Sequence, residues 1–425
     1  MTDDGARSVD QTLTITNARV EGHEGHVSVD IADGVIRAVG TEVGGSGGAT
    51  MLDAQGSLLL PAFVDGHLHV CKAYTRDLAG DRAAALYSGE GMASGPAADA
   101  IDVAAAVKSR YDDEVTYLST RHALLSGVKH GVRLVQAFAD VDTAAGLAGV
   151  RGALRARDEL ADLVTARVVA FPQDGLLRDP GAEDLVRQAI ELGADVVGGI
   201  PWIEADEADQ REHVQRMTRL AAEHDLPVAM LVDDAGDPSL RTLEMLARAT
   251  IEHGLQGRVV ACHARALGTY PQAYFDELVE LLLEAQVGVV TDPHTGATFL
   301  RAVELRERGV PVALGQDDIA DAYYPYGQHN MLEVAFLASH LWRRFDSGGQ
   351  QLVTDMVTGA AGAGAVLGDE QRLVPGAPAD LVVTGQPSVA EVLRYHLPPS
   401  AVVRAGCVVA RSTTTTQFPT SPVTG

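Results

Sequence analysis

The chain is expected to be an α/β protein: a parallel (β/α)8 TIM barrel with a small β-sandwich domain formed from both termini. Three observations predict this. Between Leu58 and Gly368, short apolar runs rich in β-branched residues alternate with longer amphipathic stretches, the pattern of βα units around a parallel sheet. From Leu13 to Gly40, shorter alternating runs are broken by Asn, Gly and Asp-Gly, as in consecutive antiparallel strands. Runs of the same kind return at about residues 380 to 412. Neither terminal set can bury two faces alone, so the economical arrangement packs them together.

Eight runs serve as barrel strands: 57–64, 132–138, 166–171, 194–200, 226–232, 258–263, 287–292 and 310–315. The amphipathic segments before the second and fifth, at 113–131 and 207–225, are credible helices. The expected boundaries are 1–56 and 371–412 for the two parts of the sandwich, 57–370 for the barrel, and 413–425 for a polar, disordered tail. The Gly-, Ala- and Ser-rich segment 72–112 leaves the strand ends where barrel chemistry sits, and is either a lid or a plain surface excursion.

A length of 425 residues suits one barrel of roughly 250 to 300 residues plus an accessory domain. A formal net charge of -25 argues against nucleic acid or anionic membrane as a partner, because a polyanion is repelled over most of the surface. No apolar run approaches the roughly 18 to 20 residues of a membrane span, and the acidic start lacks the features of a secretory signal, so a cytoplasmic location is expected. Cys71, Cys262 and Cys407 are too scattered for a disulfide framework. Acidic, Ala/Gly/Val/Arg-rich composition with little Lys points to a bacterial source.

The chemistry-bearing residues fall at strand ends. His67 and His69, in PAFVDGHLHV, are two apart and can point to one side of an extended chain, with Asp65-Gly66 expected to supply a turn after the first strand. Asp317 and Asp318 follow the eighth strand, the neighbour of the first in a closed barrel, within reach of those imidazoles. His263 ends the sixth strand, Asp233 and Asp234 the fifth, and Gln173 follows the third. Each has a bland alternative: a chance surface pair, a solvated turn, a hydrogen-bonded core histidine. His294 and His329 are more simply structural or solvated.

Taken in order, HLH, AFPQDG, ADVVGGIPWIE, LVDDAGDP, ACHARAL and GQDDIADAYYPYGQHNMLE resemble the cytosine deaminase branch of the amidohydrolase superfamily, which includes isopropylammelide-type hydrolases. The resemblance implies a divalent metal, Zn2+ or Fe2+, activating water for attack on a ring carbon with loss of ammonia or an amine. It implies His67, His69 and Asp317 as metal ligands, with Asp317 also accepting the water proton. It further implies His263 as the histidine that hydrogen-bonds the attacking water, Gln173 as the residue gripping the ring edge, and Asp318 as the neighbouring acid.

The departures are specific. Leu231 stands where the family supplies a third imidazole to the metal, and Asp234 replaces the glutamate that protonates the ring. Phe138 and Trp202 stand where histidines are common, and Val70-Cys71 replace Leu-Asp. A first shell that loses a neutral ligand holds its ion less tightly, so metal is weak, differently placed with help from Asp233, Asp234, His263 or Cys71, or absent. Leu231, Phe138 and Trp202 together favour an apolar pocket for stacking a flat ring over one that reads cytosine. Three functions remain open. The first is a C–N hydrolase or deaminase of a small nitrogen heterocycle other than cytosine, with Asp317, His263 and Asp234 catalytic. The second is a lyase, cyclase or isomerase using the same acids and base with or without metal; the third is a non-catalytic binding barrel. The expected partner is a small heterocycle, and a homo-oligomer is left open.

Overall fold

The structure is a computed structural model describing residues 12–41, 49–79, 107–359 and 362–417. Eight parallel strands, β6 (Phe63–His69), β7 (Val132–Asp140), β8 (Thr165–Phe171), β9 (Val196–Gly199), β10 (Val228–Val232), β11 (Val259–His263), β12 (Gly288–Thr291) and β13 (Val312–Leu314), neighbour one another in chain order. The ring closes just past β13, where His69 N donates to Asp317 O and Asp317 N donates to His67 O, both at 2.8 Å. Leu68 and Asp317 face each other there as a parallel bridge. The helices at 113–129 and 207–224 match the amphipathic segments, and each starts at an aspartate, Asp112 or Asp206, whose carboxylate accepts first-turn N–H groups.

Inward residues of the strands, among them Val64, Leu134, Val169, Ala229, Val260, Val290 and Ala313, fill the barrel. Ala363, Val366 and Leu367 of the short helix Ala363–Leu367 join that cluster, and Arg167 near the start of β8 donates to Leu367 O (2.7 Å). This helix therefore covers the N-terminal end of the barrel, leaving chemistry to the other end.

Two four-stranded sheets make the small domain. One runs β3 (Val35–Gly40), β2 (Val27–Ala32), β1 (Thr12–Ala18), β4 (Thr50–Asp53); the other runs β16 (Cys407–Arg411), β15 (Ala401–Arg404), β14 (Leu381–Val383), β5 (Leu59–Pro61). Leu13, Ile15, Val29 and Ile31 of the first pack on Leu59, Leu381, Val383 and Val403 of the second.

The run 57–64 is thus two strands rather than one. Leu59–Pro61 pairs with β14, and the chain changes sheets at Ala62, whose N–H donates to Asp380 O while that of Phe63 donates to Gly131 O. The barrel strand consequently extends to His69. Asp65 and Gly66 lie inside it and form no turn: Asp65 Oδ1 accepts from His67 N (3.0 Å) and Gln316 N (3.1 Å), tying β6 to the chain beyond β13. Glycine is required on both sides of this seam. A Cβ on Gly66 would lie 2.8 Å from a Val290 methyl, and one on Gly315 would lie 2.8 Å from His67 Cβ and 2.9 Å from its carbonyl oxygen.

Asp233 also differs from expectation. Its backbone is left-handed (φ 48°), and its carboxylate accepts from Thr242 N, Thr242 Oγ1, Leu243 N and Tyr270 Oη at 2.6 to 3.1 Å. It anchors the start of the helix Thr242–Glu252 and is spent there, so it has no part in a metal shell. The thiol of Cys71 is similarly occupied, accepting from Asp140 N (3.3 Å). All three cysteines are free thiols, and no described helix is long and apolar enough to cross a membrane. Most of the 72–112 segment, residues 80–106, lies outside the described residues, as do 418–425 of the tail.

Two outcomes follow from this packing. Gly315→Ala should lower unfolding stability by roughly 1 to 3 kcal/mol, since its neighbour is backbone and cannot rotate away; a denaturation midpoint equal to wild type would contradict the close approach. Asp233→Ala, which strands buried donors, should cost about 2 to 4 kcal/mol while leaving metal uptake by the folded protein unchanged, as read by elemental analysis.

Candidate active site

The closure seam assembles the site. His67 and His69 leave the end of β6 on one face, and Asp317, itself left-handed (φ 65°), turns back toward them. His67 Nε2 lies 3.1 Å and His69 Nε2 3.7 Å from Asp317 Oδ1. All three side chains are buried. Burial, reinforced by the neighbouring cation-forming groups, holds both imidazoles well below the usual histidine range, His67 through His263 and His69 through Lys72. Burial and the adjacent Asp292 and Asp318 lift the Asp317 carboxyl well above the usual range.

His67, His263 and Asp317 place one ligand atom each within 4.8 Å of one another, and so do His69, Asp317 and Asp318. Imidazoles, those of His67 and His69 held neutral, beside crowded carboxylates are a donor set that suits a divalent cation, which would relieve the repulsion that lifts Asp317. The residues present therefore fit the metal implied by the resemblance. Leu231 contributes nothing to it: its side chain faces the barrel interior, packed with Phe138, Val260 and Cys262.

One flank of the mouth is a charge cluster from β10, β11 and β12. His263 and Ala264 both adopt left-handed backbone (φ 66° and 46°), and His263 Nδ1 lies 2.7 Å from Asp292 Oδ1 and 3.5 Å from Asp234 Oδ1. Burial opposes protonation of His263, but Asp234, Asp292 and Asp317 outweigh it and push its pKa up to about 9. Arg265 donates to Asp234 Oδ1 (2.6 Å) and Asp292 Oδ2 (2.7 Å), locking both acids. The Thr295 hydroxyl accepts from Arg265 and lies 2.8 Å from Asp317 Oδ2. Arg265 and Asp292 escape the sequence reading, although Asp292 ends the strand run 287–292 and Arg265 lies two residues beyond His263, both at the reactive rim.

The other flank gathers Gln173, Lys72 and Asp318. Lys72 Nζ donates to Gln173 Oε1 (3.1 Å), lies 3.5 Å from Asp318 Oδ1 and sits 4.0 Å over the Tyr323 ring. Burial opposes the charge on Lys72, but Asp318 and Tyr323 override it and hold the pKa above the usual lysine range. Lys72, three positions after His69, carries no role in the sequence reading, because nothing in the sequence shows that it meets Gln173 and Asp318.

The apolar part of the mouth holds Phe138, Phe171, Ile200 and Leu231, with half-buried Trp202 packed on them. Phe138 meets His67 edge-on, with ring centroids 4.2 Å apart, and so backs the imidazoles. The Trp202 indole N–H is buried without a partner among the described residues. His329 is structural: Nδ1 pairs with Ala123 O (2.8 Å), and Nε2 lies 3.0 Å from Asp65 Oδ2 beneath the seam.

Comparison with known proteins identifies the family and agrees with the fold. Residues 50–410 match the family model described as "Amidohydrolase family". The chain is 30% identical over 338 residues to N-isopropylammelide isopropyl amidohydrolase of Pseudomonas sp. (strain ADP), covering 78% of this chain and 81% of that protein. It is 26% identical over 426 residues to pterin deaminase of Rhizobium rhizogenes, covering 94% and 92% of the two chains. Among solved structures, 5-methylcytosine deaminase from Klebsiella pneumoniae liganded with 5-fluorocytosine superposes with a TM-score of 0.84 at 28% identity, over 96% of this chain and all (100%) of that one. With its barrel, its terminal β-domain and its histidine and aspartate cluster at the closure seam, the chain belongs to the amidohydrolase family.

Proposed function

We propose that the protein hydrolyses a C–N bond of a small nitrogen heterocycle other than cytosine, releasing ammonia or an amine, with Zn2+ or Fe2+ held by His67, His69 and Asp317. The convergence of those three side chains at the C-terminal mouth carries the reading, because two imidazoles remote in sequence from Asp317 both bring Nε2 within 3.7 Å of its Oδ1. The named relatives act on N-isopropylammelide, pterin and 5-methylcytosine, which supports a nitrogen heterocycle as substrate. A divalent ion there would supply acidified water, with a pKa lowered toward ~7, and charge stabilisation.

The chain's own groups supply the rest. Asp317, the carboxylate beside the ion site, takes the proton of the attacking water. Protonated Asp318, whose carboxyl is raised by burial and by Asp321, gives its proton to the leaving nitrogen and regains one from adjacent Asp317, so both carboxyls return to their starting states. Lys72 occupies Gln173 Oε1, so Gln173 offers its NH2 to an acceptor on the ring. Arg265 occupies Asp234 Oδ1, leaving the second Asp234 oxygen for a ring N–H. Phe138, Leu231 and Trp202 form the apolar part of the pocket, where stacking on an aromatic contributes about 0.5 to 1.5 kcal/mol. The overall charge of -25 favours a neutral or cationic substrate.

The test is ammonia or amine release from a panel of aminopyrimidines, aminotriazines and pterins, using protein loaded with Zn2+ or Fe2+ and protein stripped by chelation. Turnover should require metal, and His67→Ala with Asp317→Ala should reduce kcat/KM by roughly 1,000-fold or more, several kcal/mol of lost stabilisation, in a protein whose circular dichroism is unchanged. Full turnover after stripping would contradict the reading and favour metal-free acid–base chemistry. Tight ring binding without turnover of any substrate would favour a binding barrel.

A further inference from the structure

We propose that His263 is the third imidazole of the metal centre, replacing the ligand position on β10 that Leu231 occupies; the inference rests on the metal-dependent reading above. Strand β11 lies beside β10 with Leu231 opposite Cys262 and Val232 opposite His263, so the ring enters the mouth one strand over and one residue further along.

Its two nitrogens are differently placed. Nδ1–H donates to Asp292 Oδ1 (2.7 Å), and Asp292 is itself clamped by Arg265. Nε2 is buried without a hydrogen-bond partner among the described residues. A buried polar atom without a partner is costly, and a bound ion would satisfy this one. A metal-ligating histidine has the arrangement seen here: one ring nitrogen tied to a carboxylate, which fixes the tautomer, and the other free to bind the ion.

Position agrees. The His263 and His67 rings stand edge to face with centroids 4.9 Å apart, and ligand atoms of His67, His263 and Asp317 lie within 4.8 Å of one another. Donors bonded at about 2.1 Å to one tetrahedral ion stand roughly 3.4 Å apart, so a small contraction brings them together. Two successive non-glycine residues in left-handed backbone, His263 and Ala264, are a local strain that aims this ring. His67, His263 and Asp317 then hold the ion, and His69, whose Nε2 lies 3.7 Å from Asp317 Oδ1, moves in to complete three nitrogens and one oxygen; the water-orienting role that the resemblance implies for His263 is given up.

The imidazole count on the metal is the direct test. X-ray absorption at the zinc edge of wild-type protein loaded with one equivalent of Zn2+ should fit three imidazoles; two would overturn the assignment, and this needs no variant. Zn2+ affinity, measured by competition with a chromophoric chelator, should fall roughly 100-fold or more in His263→Ala, as in His67→Ala, and Leu231→His added to His263→Ala should regain most of it. An affinity for His263→Ala within a few-fold of wild type would return His263 to a role outside the shell while leaving the hydrolase reading intact. Failure of wild-type protein to bind zinc, cobalt or iron would overturn both.

Discussion

Everything at the mouth depends on how the barrel closes. Strand β13 ends at Leu314, and the seam is completed by the two backbone hydrogen bonds that clasp Asp317 between His67 and His69. The bonds that shut the ring are therefore the bonds that bring the carboxylate to the imidazoles. Gly66 and Gly315 allow the strands to approach, and buried Asp65 stitches the same seam from below.

Around that centre, fixed cations divide the rim. Arg265 locks Asp234 and Asp292 on one flank, and Lys72 holds Gln173 beside Asp318 on the other. Each buried cation reduces the cost of several buried acids and spends some of their oxygens, so the groups left for a ligand are fewer than the residue count suggests. Between the flanks, Leu231 and Phe138 are buried in the barrel's apolar cluster, with Trp202 packed against it.

Much of this was legible in the sequence. The period of apolar runs identified seven barrel strands and the start of the remaining one, and the address of HLH and GQDD after the first and last runs foretold their meeting, since those strands must be neighbours in a closed barrel. What the sequence hid was local and physical. The run 57–64 is continuous in hydropathy, yet it serves two sheets, because the switch at Ala62 is set by partners far away in sequence, Asp380 and Gly131. Adjacent Asp233 and Asp234 point to opposite uses, a helix anchor and an arginine pair, which no pattern of two acids distinguishes. Arg265 and Asp292 form a pair across 27 residues, visible only once β11 and β12 stand side by side.

The central claim is that His67, His69 and Asp317 surround one divalent ion. Anomalous diffraction from crystals grown with zinc, collected above and below its absorption edge, tests it most directly. One strong peak per chain, within bonding distance of both imidazoles and the carboxylate, is the result this account requires. A mouth in which those side chains contact only one another, with zinc bound elsewhere or nowhere, would contradict it.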